Sequence, residues 1–187
     1  MKIHPKLQKH LEANKVKYEI IPHKKVFTAI DAAATLKVKL EEIAKSLVIK
    51  ADKNYYMLIL AANRSVNLAK LKKALKAGKV VIPKESELVK VLHVKPGALT
   101  GFGSLHNLDV VVDKGFVKAK KAIFASGSLA ESIKIGVKDY LKLENALSHA
   151  FSDLKKVKLN NPFKKKIKSK IKKSDKGKII KKIKKRK

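Results

Sequence analysis

The sequence has no cysteine and no tryptophan, and only 5% of its residues are aromatic. Without cysteine there are no disulfides, no thiolate zinc ligands and no cysteine nucleophile. Acidic residues are also scarce: 15 Asp and Glu stand against 46 Lys and Arg, a formal net charge of +31 over 187 residues. Long apolar runs are missing. The longest, Tyr55 to Ala62, is far too short to span a bilayer, and the opening residues, with His4, Pro5 and Lys6, offer no signal-peptide apolar region. A cytoplasmic protein with no membrane association is expected. The six histidines, His4, His10, His23, His93, His106 and His149, show no metal-ligand spacing. No Ser-His-Asp set is evident, so neither a metal nor any other cofactor is expected.

What the chain does have is a 45% apolar content, enough for one core, and a positive charge that is unevenly spread. From Lys155 to Lys187 there are 18 basic residues and one acid, Asp175, so more than half of the net charge lies in that segment. The expected division is a folded domain over residues 1–153 and a Lys-rich low-complexity tail over 154–187. Lysine is a hydrated point charge suited to phosphate rather than to bidentate base reading. The tail therefore reads as a polyanion-binding segment, with Lys164, Lys165, Lys166, Lys172, Lys173, Lys181, Lys182, Lys184 and Lys185 as its phosphate contacts. Like-charge repulsion favours disorder, while the near-helical spacing of Ile167, Ile171, Ile179, Ile180 and Ile183 allows a helix on a polyanion. A solvated solubility segment is the alternative.

Local patterns predict the elements of the domain. A helix is expected over Pro5 to Asn14 and a strand over Lys17 to Ile21, followed by a turn at Pro22-His23-Lys24. Thr28 is placed to cap a helix over Ala29 to Leu36 with Ile30, Ala33 and Ala34 on its packed side. A short helix from Leu40 to Ala44 feeds a strand containing Lys45. Asp52-Lys53-Asn54 makes a hairpin turn into a strand over Tyr55 to Ala61, apolar enough to be buried on both faces. Asn67 caps a helix carrying Leu68, Leu71 and Leu75, with Gly78 as its C-cap. Val80 to Ile82 is strand-like, and Pro83 opens a helix to about Leu92 with Leu88, Val91 and Leu92 inward. Strands are expected at Asp109 to Asp113, Lys121 to Ala125 and Ser132 to Ile135, and a last helix from Val137 to about Ala150. Five or six strands interleaved with short helices give an α+β domain with a mixed, curved β-sheet flanked by short helices.

Two stretches carry the chemistry. In Ile43-Ala44-Lys45-Ser46-Leu47-Val48-Ile49-Lys50 a lysine is surrounded by apolar residues, and burial of that kind lowers its pKa while leaving the ammonium available to a carbonyl or phosphate oxygen. An ordinary strand lysine whose head reaches water is the alternative. The second stretch, Pro96-Gly97-Ala98-Leu99-Thr100-Gly101-Phe102-Gly103-Ser104, is a glycine-rich loop able to close over the same place. It can equally be a plain connection between helix and strand. His106, just past the loop, is the one histidine considered for substrate contact, against a surface or satisfied structural role.

The order of these motifs resembles the YbaK/ProX-type aminoacyl-tRNA deacylases, which share their domain with the editing insertion of bacterial prolyl-tRNA synthetases. The matching residues are Val26-Phe27-Thr28-Ala29 with Ala32-Ala33, then Ile43 to Val48, Gly97 to Gly103, Val110-Val111-Val112-Asp113 and Ala125-Ser126-Gly127-Ser128, within residues 3 to 150. The resemblance implies an enzyme, a hydrolase that acts in trans on the ester of a mischarged aminoacyl-tRNA. It places the family's key lysine at Lys45. Where the family usually has threonine next to it, this chain has Ser46, which retains the hydroxyl. Where the family loop commonly has proline before Phe-Gly, this chain has Gly101.

On this reading Lys45 is catalytic, and Thr28, Ala29, Ser46, Leu47, Gly97, Gly101, Phe102, Gly103, Ser126 and Gly127 bind the substrate. Backbone N–H groups around Gly101-Phe102-Gly103 join Lys45 in stabilising the oxyanion. Thr28, Ala29, Leu47 and Phe102 form the walls of a sieve for an Ala-, Ser- or Cys-like side chain, which a synthetase pocket cannot itself reject strongly. The resemblance further implies that a hydroxyl of the terminal ribose orients the attacking water. Partners are tRNA and, through the family, an aminoacyl-tRNA synthetase. Two other functions stay open: a non-catalytic tRNA-binding or synthetase-associated module, and a basic nucleic-acid-associated protein that acts through its tail.

Overall fold

The computed structural model describes residues 3–92 and 99–155. In chain order the elements are α1 (Pro5–Ala13), β1 (Tyr18–Pro22), α2 (Ala29–Leu36), a 3-10 turn (Leu40–Glu42), β2 (Ala44–Ala51), β3 (Asn54–Ala61), β4 (Arg64–Val66), α3 (Leu68–Ala74), β5 (Val80–Val81) and α4 (Glu85–Leu92). After the glycine loop come a second 3-10 turn (Gly103–His106), β6 (Asp109–Asp113), β7 (Lys121–Ala125), β8 (Glu131–Gly136), α5 (Val137–Leu143), β9 (Leu147–His149) and β10 (Ser152–Leu154). The fold is α+β, as its pattern of alternating short elements predicts.

The hairpin of β2 and β3 is its centre. The two strands pair antiparallel from Ala44 opposite Ala61 to Ala51 opposite Asn54, and Asp52 takes the left-handed backbone that closes the turn. The Asp52 carboxylate then accepts the backbone N–H groups of Gly78 and Lys79 at 3.1 and 2.8 Å. Parallel pairing of β3 with β6 and of β6 with β9, together with antiparallel β5 on β2, completes a five-stranded mixed sheet in the order β5-β2-β3-β6-β9. Met57, Leu58, Ile59 and Leu60 are all fully buried, because both faces of β3 are covered. Met57 and Ile59 share a cluster with Leu7 and Leu11 of α1, Phe102, Phe124 and Tyr140. Leu58 and Leu60 pack with Ile49, Leu71, Val111 and Phe151.

A second, antiparallel sheet in the order β1-β8-β7 accompanies the mixed one. It meets the start of β2 through a single parallel bridge between Ile43 and Ile123. β10 pairs antiparallel with β4 to make a two-stranded ribbon. Buried Asp113, at the end of β6, fastens that ribbon. It lies 3.2 Å from Arg64 Nε, and its carboxylate accepts the backbone N–H groups of Gly115, Phe151 and Ser152 at 2.9–3.0 Å.

Several local expectations are corrected. Thr28 does cap α2, accepting from Asp31 N, but the packed residues are Ala32 and Ala33; Ile30 is exposed. Asn67 caps α3, whose C-cap is Leu75 and not Gly78; Lys76 takes the left-handed turn and Gly78 serves the Asp52 carboxylate. Leu68 and Val91 are exposed. The last helix stops at Leu143 and not near Ala150, because Asn145 adopts a left-handed backbone and Leu147–His149 is drawn into the sheet beside β6. Residues 93–98, with Gly97, and residues 156–187, with every lysine proposed for phosphate contact, lie outside the described residues.

Candidate active site

The bridge between Ile43 and Ile123 brings the two sheets together and leaves a cleft of about 260 Å³ beside it. β2 contributes Ala44, Lys45 and Ser46; α2 and the segment before it contribute Val26, Phe27, Thr28, Ala29 and Ala32; β7, β8 and their turn contribute Phe124, Ala125, Ser128, Leu129 and Ser132. His23, Ile43, Leu99 and Ile123 complete the wall. Most of these groups are apolar, so the few polar ones stand out.

Lys45 is one of them. It lies at the second position of β2, opposite Leu60 of β3, and is half-buried. Its pKa is held below the ordinary lysine value first by this burial and then by the charge of Lys155. Among the described residues no carboxylate forms an ion pair with it. Ser46, next along the strand, has a buried hydroxyl with no hydrogen-bond partner among the described residues. Both residues line the cleft, and a half-buried cation and an idle hydroxyl are each able to receive an oxygen atom from elsewhere.

Gly101 backs Ser46. A side-chain carbon there would lie 3.3 Å from Ser46 Oγ and 3.0 Å from Phe124 Cδ1. Its N–H donates to Ala125 O at 3.2 Å, and its carbonyl accepts from the Tyr140 hydroxyl at 2.6 Å. The loop is therefore pinned to β7 and α5 without a proline. Gly103 is required sterically, since a β-carbon would come within 2.5 Å of Leu108 O.

Of the sequence-predicted residues, the structure gathers Thr28, Ala29, Lys45 and Ser46 in the cleft, with Gly101 directly behind Ser46. It does not bring Leu47, Phe102, Gly103, Ser126 or Gly127 to the wall. Phe102 is fully buried, stacked edge-on against Tyr140 with centroids 5.3 Å apart. Leu47 packs against the opposite cluster with Ile49 and Leu60. Ser126 is buried and serves its own turn, donating to Glu131 O at 2.7 Å, and Gly127 supplies the positive φ of that turn. The N–H of Gly101 is already engaged by Ala125, which removes it from the expected set of oxyanion donors. His106 bonds Thr100 Oγ1 at 3.1 Å and is absent from the cleft.

The residues that sequence reasoning missed are His23 and Ser132. His23 Nδ1 lies 2.8 Å from the carbonyl oxygen of Lys24 and Nε2 lies 2.8 Å from Ser132 Oγ. Pairing of β1 with β8 sets Ile21 opposite Ser132, which carries the following turn with His23 to this side chain. Phe27, within the first of the matching motifs, stands at the rim 79% exposed. Among the described residues no helix is long and apolar enough to cross a membrane, and none group as a metal site.

The sequence profile of the aminoacyl-tRNA editing domain matches residues 23–143, more than half of the chain. The chain belongs to the aminoacyl-tRNA editing family. This editing domain is also similar to proline–tRNA ligases: 34% identical over 74 residues to that of Staphylococcus saprophyticus, covering 40% of this chain and 13% of the ligase. For the ligase of Staphylococcus haemolyticus the figures are 29% over 107 residues, 57% and 18%. The editing domain thus spans less than a fifth of the length of these curated relatives. Among solved structures it shares its fold with a hypothetical protein at TM-score 0.73 and 19% identity, covering 79% of this chain and 99% of the other. A protein described as a proposed trans-editing enzyme for prolyl-tRNA synthetase gives TM-score 0.67 at 20% identity, covering 81% and 99%.

Proposed function

We propose that the editing domain is a deacylase that hydrolyses the ester between a small, wrongly attached amino acid and the 3′ end of tRNA. The observation that carries this reading is that one apolar cleft is lined both by Lys45, a half-buried lysine without an ion-pair partner among the described residues, and by Ser46, whose buried hydroxyl has no hydrogen bond among them. Water adds to the ester carbonyl, the carbonyl oxygen takes up negative charge, and the C–O bond to the ribose breaks as the ribose oxygen regains a proton. The Lys45 ammonium and the Ser46 hydroxyl stabilise the charge on that oxygen; one such donor is worth about 10²–10³-fold in rate. The sequence resemblance supports a ribose hydroxyl as the group that orients the water.

Substrate choice in this reading is made by size. Thr28 and Ala29 line the cleft as the sieve, together with Ala32, Ala44 and Ile123 in place of Leu47 and Phe102. A second sieve of this kind corrects what a synthetase pocket cannot, since one methylene is worth only about 1–3 kcal/mol. The domain over residues 1–153 performs the chemistry, and the tail over 154–187 attracts the tRNA phosphates through its lysines. The partners are mischarged tRNA and a prolyl-tRNA synthetase whose errors it corrects, which puts the reaction in the cytoplasm.

The test is release of labelled amino acid from tRNAs mischarged with alanine, serine, cysteine or threonine. Wild type is expected to turn over at least one small ester, and Lys45→Ala to lose about 10²-fold or more while binding tRNA almost as tightly. Full activity in Lys45→Ala would remove the lysine from the mechanism.

A further inference from the structure

The ester just proposed carries a second charge that Lys45 cannot accommodate. An aminoacyl ester has an α-ammonium one carbon from the carbonyl, and if that carbonyl lies at Lys45 and Ser46, the ammonium must sit in the same cleft as a lysine. Like charges there repel more strongly than in water. A substrate of this class needs an acceptor on another wall.

Hydrogen bonding around His23 identifies one. The Lys24 carbonyl can only accept, so the Nδ1 atom 2.8 Å away carries the hydrogen. In the neutral ring this leaves Nε2 bare, and Nε2 accepts the Ser132 hydroxyl proton over 2.8 Å. Ser132 Oγ makes no other side-chain hydrogen bond among the described residues. With its proton directed at His23, it can offer only lone pairs to the cleft. The other hydroxyls differ. Ser46 is a free donor, Thr28 Oγ1 both donates to Asp31 and accepts from its backbone, and Ser128 Oγ accepts from Ala130 N.

We infer that the His23–Ser132 pair is the receptor for the substrate's α-ammonium, with Ser132 the contacting atom and His23 the positioning residue that fixes its proton. Ser132 stands on β8 and Lys45 on β2, so the two sheets supply opposite kinds of pole: lone pairs from one, a cation from the other. Such a cleft selects an α-amino acid ester over an ester of the same size without the amino group. This assignment rests on the hydrolase reading above.

The experiment uses the full chain and pairs of tRNA esters that differ in that group alone: alanyl and seryl esters, and the α-hydroxy esters made from them by nitrous acid deamination. Each enzymatic rate is divided by the spontaneous hydrolysis rate of the same ester. Wild type is expected to favour the amino ester by roughly 10- to 100-fold in kcat/KM, the range for a hydrogen bond to a charged group. Ser132→Ala should lose that preference, read as the ratio of amino-ester to hydroxy-ester kcat/KM within the variant, and His23→Ala should lose part of it. Ser132→Cys keeps the volume and should behave like Ser132→Ala, which guards against a folding defect in either one. A preference retained in both Ser132 variants, or no preference in wild type, overturns the assignment and leaves the hydrolase reading standing. Turnover of neither ester by wild type overturns both.

Discussion

The Tyr140 hydroxyl donates a 2.6 Å hydrogen bond to the carbonyl of Gly101, joining the helix after β8 to the residue that backs Ser46. Both groups are buried, and burial raises the Tyr140 pKa well above its ordinary value, so the phenol keeps the proton it donates. Tyr140→Phe retains the ring stacked on Phe124 at 4.3 Å but leaves a buried carbonyl without its partner. A loss of about 1–3 kcal/mol is expected, read from the shift in the urea midpoint. A smaller fall in ester hydrolysis should accompany it as the loop loosens.

Gly101 itself makes a sharper case. Proline is common at this place in related loops, yet Gly101→Pro would remove the N–H that bonds Ala125 O and press a side chain against Phe124 and Ser46. The variant is expected to be destabilised by about 1–3 kcal/mol and to turn over esters more slowly than wild type. Equal or higher activity at undiminished stability would show that the hydrogen bond to Ala125 is dispensable.

The depressed pKa of Lys45 sets a pH dependence. If its ammonium is the working form, hydrolysis should fall as pH rises through a value below the ordinary 10.5. Removing the neighbouring charge in Lys155→Ala should move that limb upward, since Lys155 is the second cause of the shift. Stability responds with the opposite sign: the unfolded chain binds the proton more tightly, so the Lys45 contribution to stability rises with pH between its folded value and 10.5. Comparison with Lys45→Met across that window by urea titration isolates the effect.

The tail acts in the proposal through charge alone. Replacing Lys181, Lys182, Lys184 and Lys185 by Gln in the full chain should flatten the plot of log affinity for tRNA against log salt by about 0.7–0.9 for each phosphate that is no longer neutralised. Turnover at saturating tRNA should be unchanged. An unaltered slope would separate these lysines from tRNA capture.

What can be read in the sequence is local. Thr28 and Asn67 cap helices because a side-chain oxygen three residues before a free N–H is a short-range feature, and the apolar run of β3 announces its own burial. Lys45 stands out because its neighbours along the chain are apolar. The three-residue strands β4, β9 and β10 carry no such signal; Arg64 meets Leu154 only through the closed fold. His23 and Ser132 are 109 residues apart, and their meeting depends on the register of β1 with β8. Phe102 has the look of a pocket wall beside its glycines, but its neighbours Phe124 and Tyr140 hold it in the core. The helix expected to reach Ala150 could have been shortened from Asn145 alone, asparagine being among the few residues that readily turn left-handed.

The clamp at Asp113 bears on where this domain can be cut or grafted. The family profile ends at residue 143, yet the carboxylate at the end of β6 takes two of its N–H donors from Phe151 and Ser152, and Phe151 seals one side of the central sheet. A fragment trimmed to the recognisable signature would keep every cleft residue between His23 and Ser132 while exposing Leu58 and Leu60 and leaving a buried anion half-solvated. The segment by which the family is recognised is thus shorter than the segment that folds, and transplanting the activity into another protein requires β10, and at the other end α1 and β1, to travel with it.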